Sequence, residues 1–144
     1  MIYVDTSVIV SALTREADTA LSQTWLTSQE TSELTISDWT VTEFASALSM
    51  KLRTGALNAD HRADALSAFT RLCAESLRTL PATREDFRAA ARFADQSELN
   101  LRAGDALHLA ICANHGASLC TLDRRLAEAA PRVGVPVRDV SLSK

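Results

Sequence analysis

Glycine and proline are scarce in this sequence, which contains four glycines and three prolines among 144 residues. They stand singly between longer apolar segments, so we find no flexible linker and no low-complexity tract. A chain of this length with 47% hydrophobic residues can bury one sizeable core and has little sequence left for a second. We therefore predict a single domain that spans residues 1–144.

Cysteine is equally sparse. Cys73, Cys112 and Cys120 are odd in number and form no C-x-x-C pair, which argues against a disulfide framework and against a zinc cage. His108 and Cys112 would share a helix face, but two ligands without a second pair favour core packing over a metal site. We interpret the three thiols and His108 as core residues.

Long apolar runs are missing as well. The apolar run at residues 8–10 ends at a serine, far short of the roughly 18 residues that a membrane-spanning helix needs. The amino terminus has no basic region and reaches an acid at Asp5, unlike a secretory signal. These absences lead us to expect a cytoplasmic protein.

Lysine is nearly absent, and the formal net charge is −3. Such a charge provides no global attraction for nucleic acid, whose phosphates are usually met by an excess of basic residues. However, 13 of the 15 basic residues are arginine, whose guanidinium group can bind phosphate through two parallel hydrogen bonds. The arginines could form a local patch, or could follow a compositional preference at solvated positions.

Short apolar segments alternate with longer segments of helical periodicity. We predict strands at residues 1–5, 34–37, 78–80, 117–122 and 135–137. We predict helices that begin at Thr6 or Ser7 and at Thr83, that run from Ser37 or Asp38 to about Arg53, and that cover about 18–28, 59–76, 103–114 and 124–130. Strands separated by helices imply right-handed crossovers. The expected fold class is α/β, a single-domain three-layer α/β/α sandwich with a central parallel sheet.

Two of the predicted helices carry apolar rows at helical spacing. The first row is Val41, Phe44, Leu48 and Leu52, and the second is Phe87, Ala90, Ala91 and Ala94. We expect both rows to face the core. Gly55 and Gly116 are expected to end the helices that precede them.

Four acids are predicted to lie at the edge of the sheet where its parallel strands end, which is where ligands usually bind in such folds. Asp5 and Asp123 each follow a strand, whereas Glu43 and Asp105 each lie early in a helix. Each acid also has a simpler interpretation. Asp5 and Asp123 could cap the helices that follow them, and Asp105 could be a cap or a favourable charge on the helix dipole.

Glu43 is the hardest of the four to explain without a ligand. Its neighbours one turn away are largely apolar, and no lysine or arginine lies within a turn of it. A carboxylate in such a place needs a partner from elsewhere in the fold, and a metal ion would serve. A divalent cation would also keep four adjacent carboxylates ionised, and an all-oxygen ligand set favours Mg²⁺ or Mn²⁺.

These residues resemble the PIN-domain nuclease family, and in particular the VapC toxins of type II toxin–antitoxin systems. The resemblance covers essentially the whole chain. Its motifs are Val4-Asp5-Thr6-Ser7, Glu43 within Val-Thr-Glu-Phe-Ala, Gly104-Asp105-Ala106-Leu107-His108 and Thr121-Leu122-Asp123. The motifs occur together, in order and on the expected elements, which makes the resemblance fairly specific.

The resemblance implies an Mg²⁺-dependent endoribonuclease, usually a homodimer, that is silenced by a VapB-like antitoxin. Mn²⁺ would substitute for Mg²⁺. By this resemblance the catalytic acids are Asp5, Glu43, Asp105 and Asp123, of which Asp5, Asp105 and Asp123 are metal ligands and Glu43 acts through water or as a base. Thr6 and Thr121 match the family's hydroxyl positions beside the metal. Because acids repel phosphate, we expect nearby arginines to contact RNA, namely Arg15, Arg102, Arg124 and Arg125.

Other enzyme classes fit less well. A haloacid dehalogenase phosphatase needs a second Asp where this chain has Ser7. A phospho-receiver domain needs a well-placed lysine on a late strand, and this sequence has only Lys51 and Lys144. Nucleotide-binding enzymes are disfavoured because no glycine-rich phosphate loop is present. The alternative that stays open is a non-catalytic PIN-like module that binds RNA or protein.

Overall fold

The computed structural model of the protein describes residues 1–141, and its centre is a five-stranded parallel sheet. The strands are β1 (Ile2–Val4), β2 (Leu34–Ser37), β3 (Arg78–Leu80), β4 (Ser118–Cys120) and β5 (Val137–Arg138). Their order in the sheet is β3-β2-β1-β4-β5, so β1 lies at the centre. Its Ile2 pairs with Leu34 of β2 on one side and Ser118 of β4 on the other. The predicted parallel sheet is confirmed.

Seven α-helices connect or follow the strands within residues 1–141. They are α1 (Thr6–Leu13), α2 (Thr19–Ser28), α3 (Asp38–Arg53), α4 (Ala59–Glu75), α5 (Arg84–Asp95), α6 (Ala103–Asn114) and α7 (Arg124–Ala129). Three short 3₁₀ turns accompany them at Thr31–Glu33, Ser97–Leu99 and Ala130–Val133. No helix in this part of the chain is long and apolar enough to cross a membrane.

The two faces of the sheet are covered by different helices. Along β1, Ile2 and Val4 pack with residues of α1, α3 and α4, whereas Tyr3 packs with residues of α5, α6 and α7. Successive side chains of a strand point to opposite faces, so three consecutive buried residues serve both cores. This arrangement is the predicted three-layer sandwich.

Polar side chains fix the helix starts at the edge where the strands end. Asp5 caps α1, Ser37 caps α3 in a capping box with Thr40, and Asp123 caps α7. The helix predicted to begin at Thr6 or Ser7 begins at Thr6, and Asp5 and Asp123 have the capping roles that their simpler interpretation allowed. The three capping residues lie at one edge of the sheet because each ends or follows a parallel strand.

The two predicted apolar rows were only partly correct. Phe44 and Leu48 are buried, but Val41 and Leu52 at the ends of their row are exposed by 42% and 39%. Their row drifts off the buried stripe, because the buried positions of α3 follow a spacing of four that begins at Thr40.

The row on α5 faces outward. Phe87 is 55% exposed, and Ala91 and Ala94 are also exposed, whereas Asp86, Ala89 and Ala90 form the buried face. Alanines occur on both faces of α5, and either face could pack on the core. The face that carries Ala89 is the one that packs against α6.

The last two strands differ from the prediction in extent. β4 covers three residues rather than 117–122, and β5 is Val137–Arg138 rather than 135–137. Pro136 has no N–H to donate, but its carbonyl accepts a hydrogen bond of 2.8 Å from the backbone of Leu119. The pairing therefore begins at the carbonyl of the proline and extends to the residues after it.

Candidate metal centre

The four acids predicted from the sequence line one cavity of about 750 Å³ at the carboxyl edge of the sheet. Asp5 follows β1 and Asp123 follows the segment after β4, while Asp105 lies in the first turn of α6 and Glu43 in the second turn of α3. The acids come from distant parts of the chain and meet because parallel strands end at the same edge.

Asp5 is the most firmly held of the four. It is 4% exposed, and its Oδ2 accepts hydrogen bonds from the hydroxyls of Ser7 at 2.7 Å and Thr121 at 2.8 Å. Its Oδ1 lies 3.4 Å from Nε2 of His108. The hydroxyl predicted at Thr121 thus orients a carboxylate, and Oδ1 is the oxygen left for further contacts.

Glu43 is held through one of its two oxygens. Its Oε1 accepts a 2.7 Å hydrogen bond from the hydroxyl of Thr6 and a second hydrogen bond from Nε2 of His108. Burial alone would raise the pKa of Glu43, but the hydrogen bond and positive charge of His108 lower it below its usual range. The partner that the sequence required for Glu43 is therefore found in the protein itself.

His108 is the residue of this site that sequence reasoning missed. Its interpretation as a packed core histidine was incomplete, because the ring is fully buried yet contacts four polar side chains. Burial lowers the pKa of His108, but the hydrogen bond to Glu43 and the charge of Asp5 outweigh burial and raise it. A signal was present: His108 lies three residues after Asp105, so both share one face of α6.

The carboxylate of Asp105 has no hydrogen bond among the described residues. Burial and the neighbouring charges of Asp123 and Asp5 raise the pKa of Asp105 to about 6. Asp123 differs, because its Oδ1 accepts a 3.1 Å hydrogen bond from the backbone of Leu126 and caps α7. Asp105 is therefore the acid whose charge the protein compensates least.

Gly104 allows the side chains of Glu43 and Trp39 to approach the backbone of α6 closely. A Cβ at this position would lie 3.1 Å from Oε2 of Glu43 and 3.3 Å from Cζ2 of Trp39. The indole N–H of Trp39 also donates a 3.2 Å hydrogen bond to the carbonyl of Gly104. Glycine is needed here for close approach rather than for an unusual backbone conformation.

Comparison with known families assigns the fold. The sequence model of the PIN-domain family matches residues 2–131, a range that contains all four acids. The chain belongs to the PIN-domain family. No curated protein matched the chain in a separate comparison. The family resemblance predicted from the motifs is therefore confirmed.

Solved structures share this PIN fold. FitAcB from Neisseria gonorrhoeae matches with a TM-score of 0.71 at 21% identity over 97% of this chain and 98% of that chain. A sarcin–ricin loop cleaving VapC toxin from Mycobacterium tuberculosis matches with a TM-score of 0.70 at 19% identity over 90% and 95%. A toxin–antitoxin complex from Klebsiella pneumoniae matches with a TM-score of 0.59 at 16% identity over 85% and 87%. At these sequence identities the structural similarity establishes the fold alone.

Three of the four predicted arginines lie beside the acids of this PIN domain. Arg102, Arg124 and Arg125 line a second cavity of about 820 Å³ that shares Glu43, Asp105 and other walls with the first. Within residues 1–141 these three side chains form no ion pair. The acids therefore border a cavity with unpaired positive charge.

Arg15 is not part of this group. It lines a separate cavity of about 510 Å³, together with His61 and Asp64. It follows α1, which leads away from the edge where the strands end. Its contact with RNA stays a prediction.

The donor set fits a divalent cation that prefers oxygen. Among the described residues, one group of possible ligands has its atoms within 4.8 Å of one another, namely Asp5, Glu43 and His108. This group differs from the predicted ligands Asp5, Asp105 and Asp123. Its members lie close together because Nε2 of His108 contacts both Glu43 and Asp5. Asp105 has no such bonds, and its raised pKa marks the side of the cluster where a cation would relieve repulsion.

Proposed function

We propose that this PIN domain is a metal-dependent endoribonuclease that hydrolyses phosphodiester bonds of RNA. The observation that supports it most is the cavity lined by four acids. In this cavity the carboxylate of Asp105 lacks a hydrogen-bonding partner among the described residues and has a pKa raised to about 6. A cluster of this kind costs stability without a cation and therefore suits a site that binds one. Mg²⁺ is the proposed cofactor, and Mn²⁺ should replace it.

Each acid has a proposed role. Asp5, Asp105 and Asp123 would hold the cation, with the hydroxyl of Thr121 orienting Asp5. When bound, such a cation supplies acidified water and offsets the negative charge that develops on phosphate. Glu43, whose Oε1 is held by Thr6 and His108, would act at its Oε2, either through water that the cation holds or as a base.

We propose that RNA enters on the side of the arginines. Arg102, Arg124 and Arg125 are unpaired there, whereas Lys51 on the other side of the acids is paired with Glu16 at 3.0 Å. Unpaired guanidinium groups are available for phosphate oxygens, and a paired ammonium group is less so. The three arginines are the proposed RNA contacts.

The neighbours in fold support a toxin role in a toxin–antitoxin system. The Klebsiella pneumoniae structure is a toxin–antitoxin complex, and the Mycobacterium tuberculosis protein is a toxin that cleaves the sarcin–ricin loop. We propose that this chain likewise acts in the cytoplasm as a homodimer and is restrained by a VapB-like antitoxin. Induced expression should arrest growth, and Asp5→Ala should remove the arrest.

Cleavage of RNA by the purified protein is the direct test. With Mg²⁺ or Mn²⁺ the wild type should cut structured RNA, and Asp5→Asn or Asp105→Asn should lower the cleavage rate by about 100-fold or more without unfolding the protein. Cleavage in excess chelator, or wild-type rates in both variants, would contradict the proposal. A saturable RNA or protein complex without any product would instead favour the non-catalytic binding module.

A further inference from the structure

His108 is a buried polar residue whose two ring nitrogens are both engaged. Its Nδ1 lies 2.6 Å from the hydroxyl of Tyr3, and its Nε2 contacts Glu43 directly and Thr6 at 3.2 Å. The side chain is 0% exposed, so water cannot replace any of these partners. A buried imidazole with polar contacts at both nitrogens has a fixed orientation.

The contacts of His108 determine which oxygen of Glu43 reaches the cavity. Both hydrogen bonds to Glu43, from Thr6 and from His108, end on Oε1. The other oxygen, Oε2, lies on the side of Gly104, where a Cβ would meet it at 3.1 Å. The side chain of Glu43 is 29% exposed, so its open side faces the cavity. Glu43 therefore has one held oxygen and one free oxygen.

Tyr3 anchors the other end of the imidazole. Its hydroxyl lies 2.7 Å from the hydroxyl of Ser37, the residue that caps α3. The chain of contacts from Ser37 through Tyr3 and His108 to Glu43 connects β1, α3 and α6. Glu43 itself belongs to α3, so the network joins the start of that helix to a carboxylate in its second turn through two other elements.

We propose that His108, held by Tyr3, is a positioning residue of the metal centre that fixes Glu43 by its Oε1 and directs Oε2 toward the cation site. The inference rests on the proposed function, because it assumes that the acids bind a divalent cation. His108 acts through Glu43 and does not itself bind the metal. Residues that orient the side chains around a bound metal commonly change metal affinity by about 10- to 100-fold when they are replaced.

Binding of Mn²⁺ to the metal-free protein, measured by titration calorimetry, tests this role without an activity assay. His108→Leu should weaken Mn²⁺ binding by about 10- to 100-fold. His108→Gln, whose amide can reach Glu43 at the place of Nε2, should retain more affinity than His108→Asn, whose shorter amide can reach only Tyr3. Tyr3→Phe should weaken binding less than His108→Leu, because it removes only the contact at Nδ1.

A double-mutant cycle separates positioning from direct metal binding. If His108 acts through Glu43, its replacement should have no further effect on Mn²⁺ affinity in a Glu43→Ala background. A loss that persists in that background would show that His108 acts other than through Glu43, either by binding the cation itself or through Asp5, whose Oδ1 lies 3.4 Å from Nε2. Such a loss would overturn the inference. Leu109→Ala, a cavity variant at a fully buried neighbour on α6, is the control for destabilisation and should leave Mn²⁺ affinity unchanged.

The failures of the two proposals are distinguishable. If wild type binds Mn²⁺ and Glu43→Ala weakens that binding, while His108→Leu and Tyr3→Phe both match wild type, the positioning role is wrong and the metal centre stands. If wild type does not bind Mn²⁺ at millimolar concentration, the metal centre itself is wrong and the positioning role falls with it.

Discussion

At the scale of single residues, the four acids of the cavity differ in how the protein holds them. Asp5 accepts hydrogen bonds from Ser7 and Thr121, and Glu43 accepts hydrogen bonds from Thr6 and His108. The carboxylate of Asp105 accepts none among residues 1–141. The acid with the least support should be the one most sensitive to a cation and to pH.

In metal-free protein, Asp105→Asn should raise the melting temperature at pH 7.5. The pKa of Asp105 is about 6 in the folded protein and lower in the unfolded chain, so between these values the folded state binds more protons. Stability therefore falls as pH rises through about 4 to 6, and the charge repulsion is fully present above it. We expect thermal unfolding in chelator to show a gain of about 2 to 4 °C at pH 7.5 that disappears toward pH 4.

Asp60→Asn is the matched control, because Asp60 also lies in the first turn of a helix but is exposed on α4. It should lower the melting temperature slightly or leave it unchanged at both pH values. An equal gain from Asp60→Asn would assign the effect to net charge rather than to the acid cluster. Adding Mg²⁺ should stabilise the wild type more than Asp105→Asn.

Gly104→Ala should impair the site while leaving the fold intact. The new Cβ would lie 3.1 Å from Oε2 of Glu43 and 3.3 Å from the ring of Trp39, so one of them must move. Alanine in the first turn of α6 otherwise favours the helix by up to about 1 kcal/mol. We expect at least a 10-fold loss in Mn²⁺ affinity or RNA cleavage together with an unchanged or higher melting temperature. Unchanged affinity and cleavage would mean that the wall of the cavity adapts.

The sequence predicted the acids of the site better than the contacts among them. Asp5 and Asp123 could be placed because each follows a strand, and strand ends in a parallel sheet share an edge. The contact between Glu43 and His108 could not be predicted, because it depends on how α3 and α6 cross above the sheet. A histidine that only packs in the core and a buried histidine that hydrogen-bonds to an acid occur in the same apolar sequence pattern.

At the scale of elements, α5 shows why apolar periodicity can select the wrong face. Phe87 and Ala91 suggested a core face, but Asp86 on the opposite side is 1% exposed. Its carboxylate accepts hydrogen bonds from the backbone of Thr83 at 2.8 Å and from Asn114 of α6 at 2.7 Å. With both oxygens satisfied, an acid can be buried on the face of α5 that packs on α6.

Asp86→Ala should destabilise the protein without changing the metal centre. It removes the hydrogen bond from the backbone of Thr83, one of the two in the capping box of α5, and leaves the amide of Asn114 without its partner. The loss should cost about 1 to 3 kcal/mol in the free energy of unfolding. Denaturant unfolding would measure this loss, and Mn²⁺ titration should give wild-type affinity. Glu85→Ala, at the exposed neighbouring position, should lose less than about 0.5 kcal/mol. Equal losses in both variants would contradict the buried role of Asp86.

At the scale of the whole molecule, the arrangement of layers followed from the alternation of strands and helices. β1 lies at the centre of the sheet and supplies Tyr3 to one core and Ile2 and Val4 to the other. The order of strands and the burial of each helix face required tertiary packing, since Val41 and Phe44 look alike in the sequence. The global net charge of −3 also says nothing about local charge, because three arginines line one cavity beside the acids.

Replacing Arg124 and Arg125 together by alanine should weaken RNA binding and reduce its dependence on salt. Each phosphate contact that is lost should lower the slope of log affinity against log salt by about 0.7 for a single strand. RNA binding should be measured with the Asp105→Asn variant as background, so that cleavage does not interfere. Arg71→Ala on α4, exposed and outside both cavities that the acids line, is the matched control and should retain the original slope. The same slope in the double variant would remove these arginines from the RNA contacts.

The most direct measurement of the central claim is the RNA cleavage rate of metal-stripped protein as free Mn²⁺ is increased, recorded beside the Mn²⁺ binding isotherm of the same preparation. The rate should be at background without metal and should rise with occupancy of the site, and Asp105→Asn should shift both curves to higher Mn²⁺ concentration. A wild-type cleavage rate that is already full in chelator, or that rises at concentrations unrelated to binding, would contradict a metal-dependent ribonuclease.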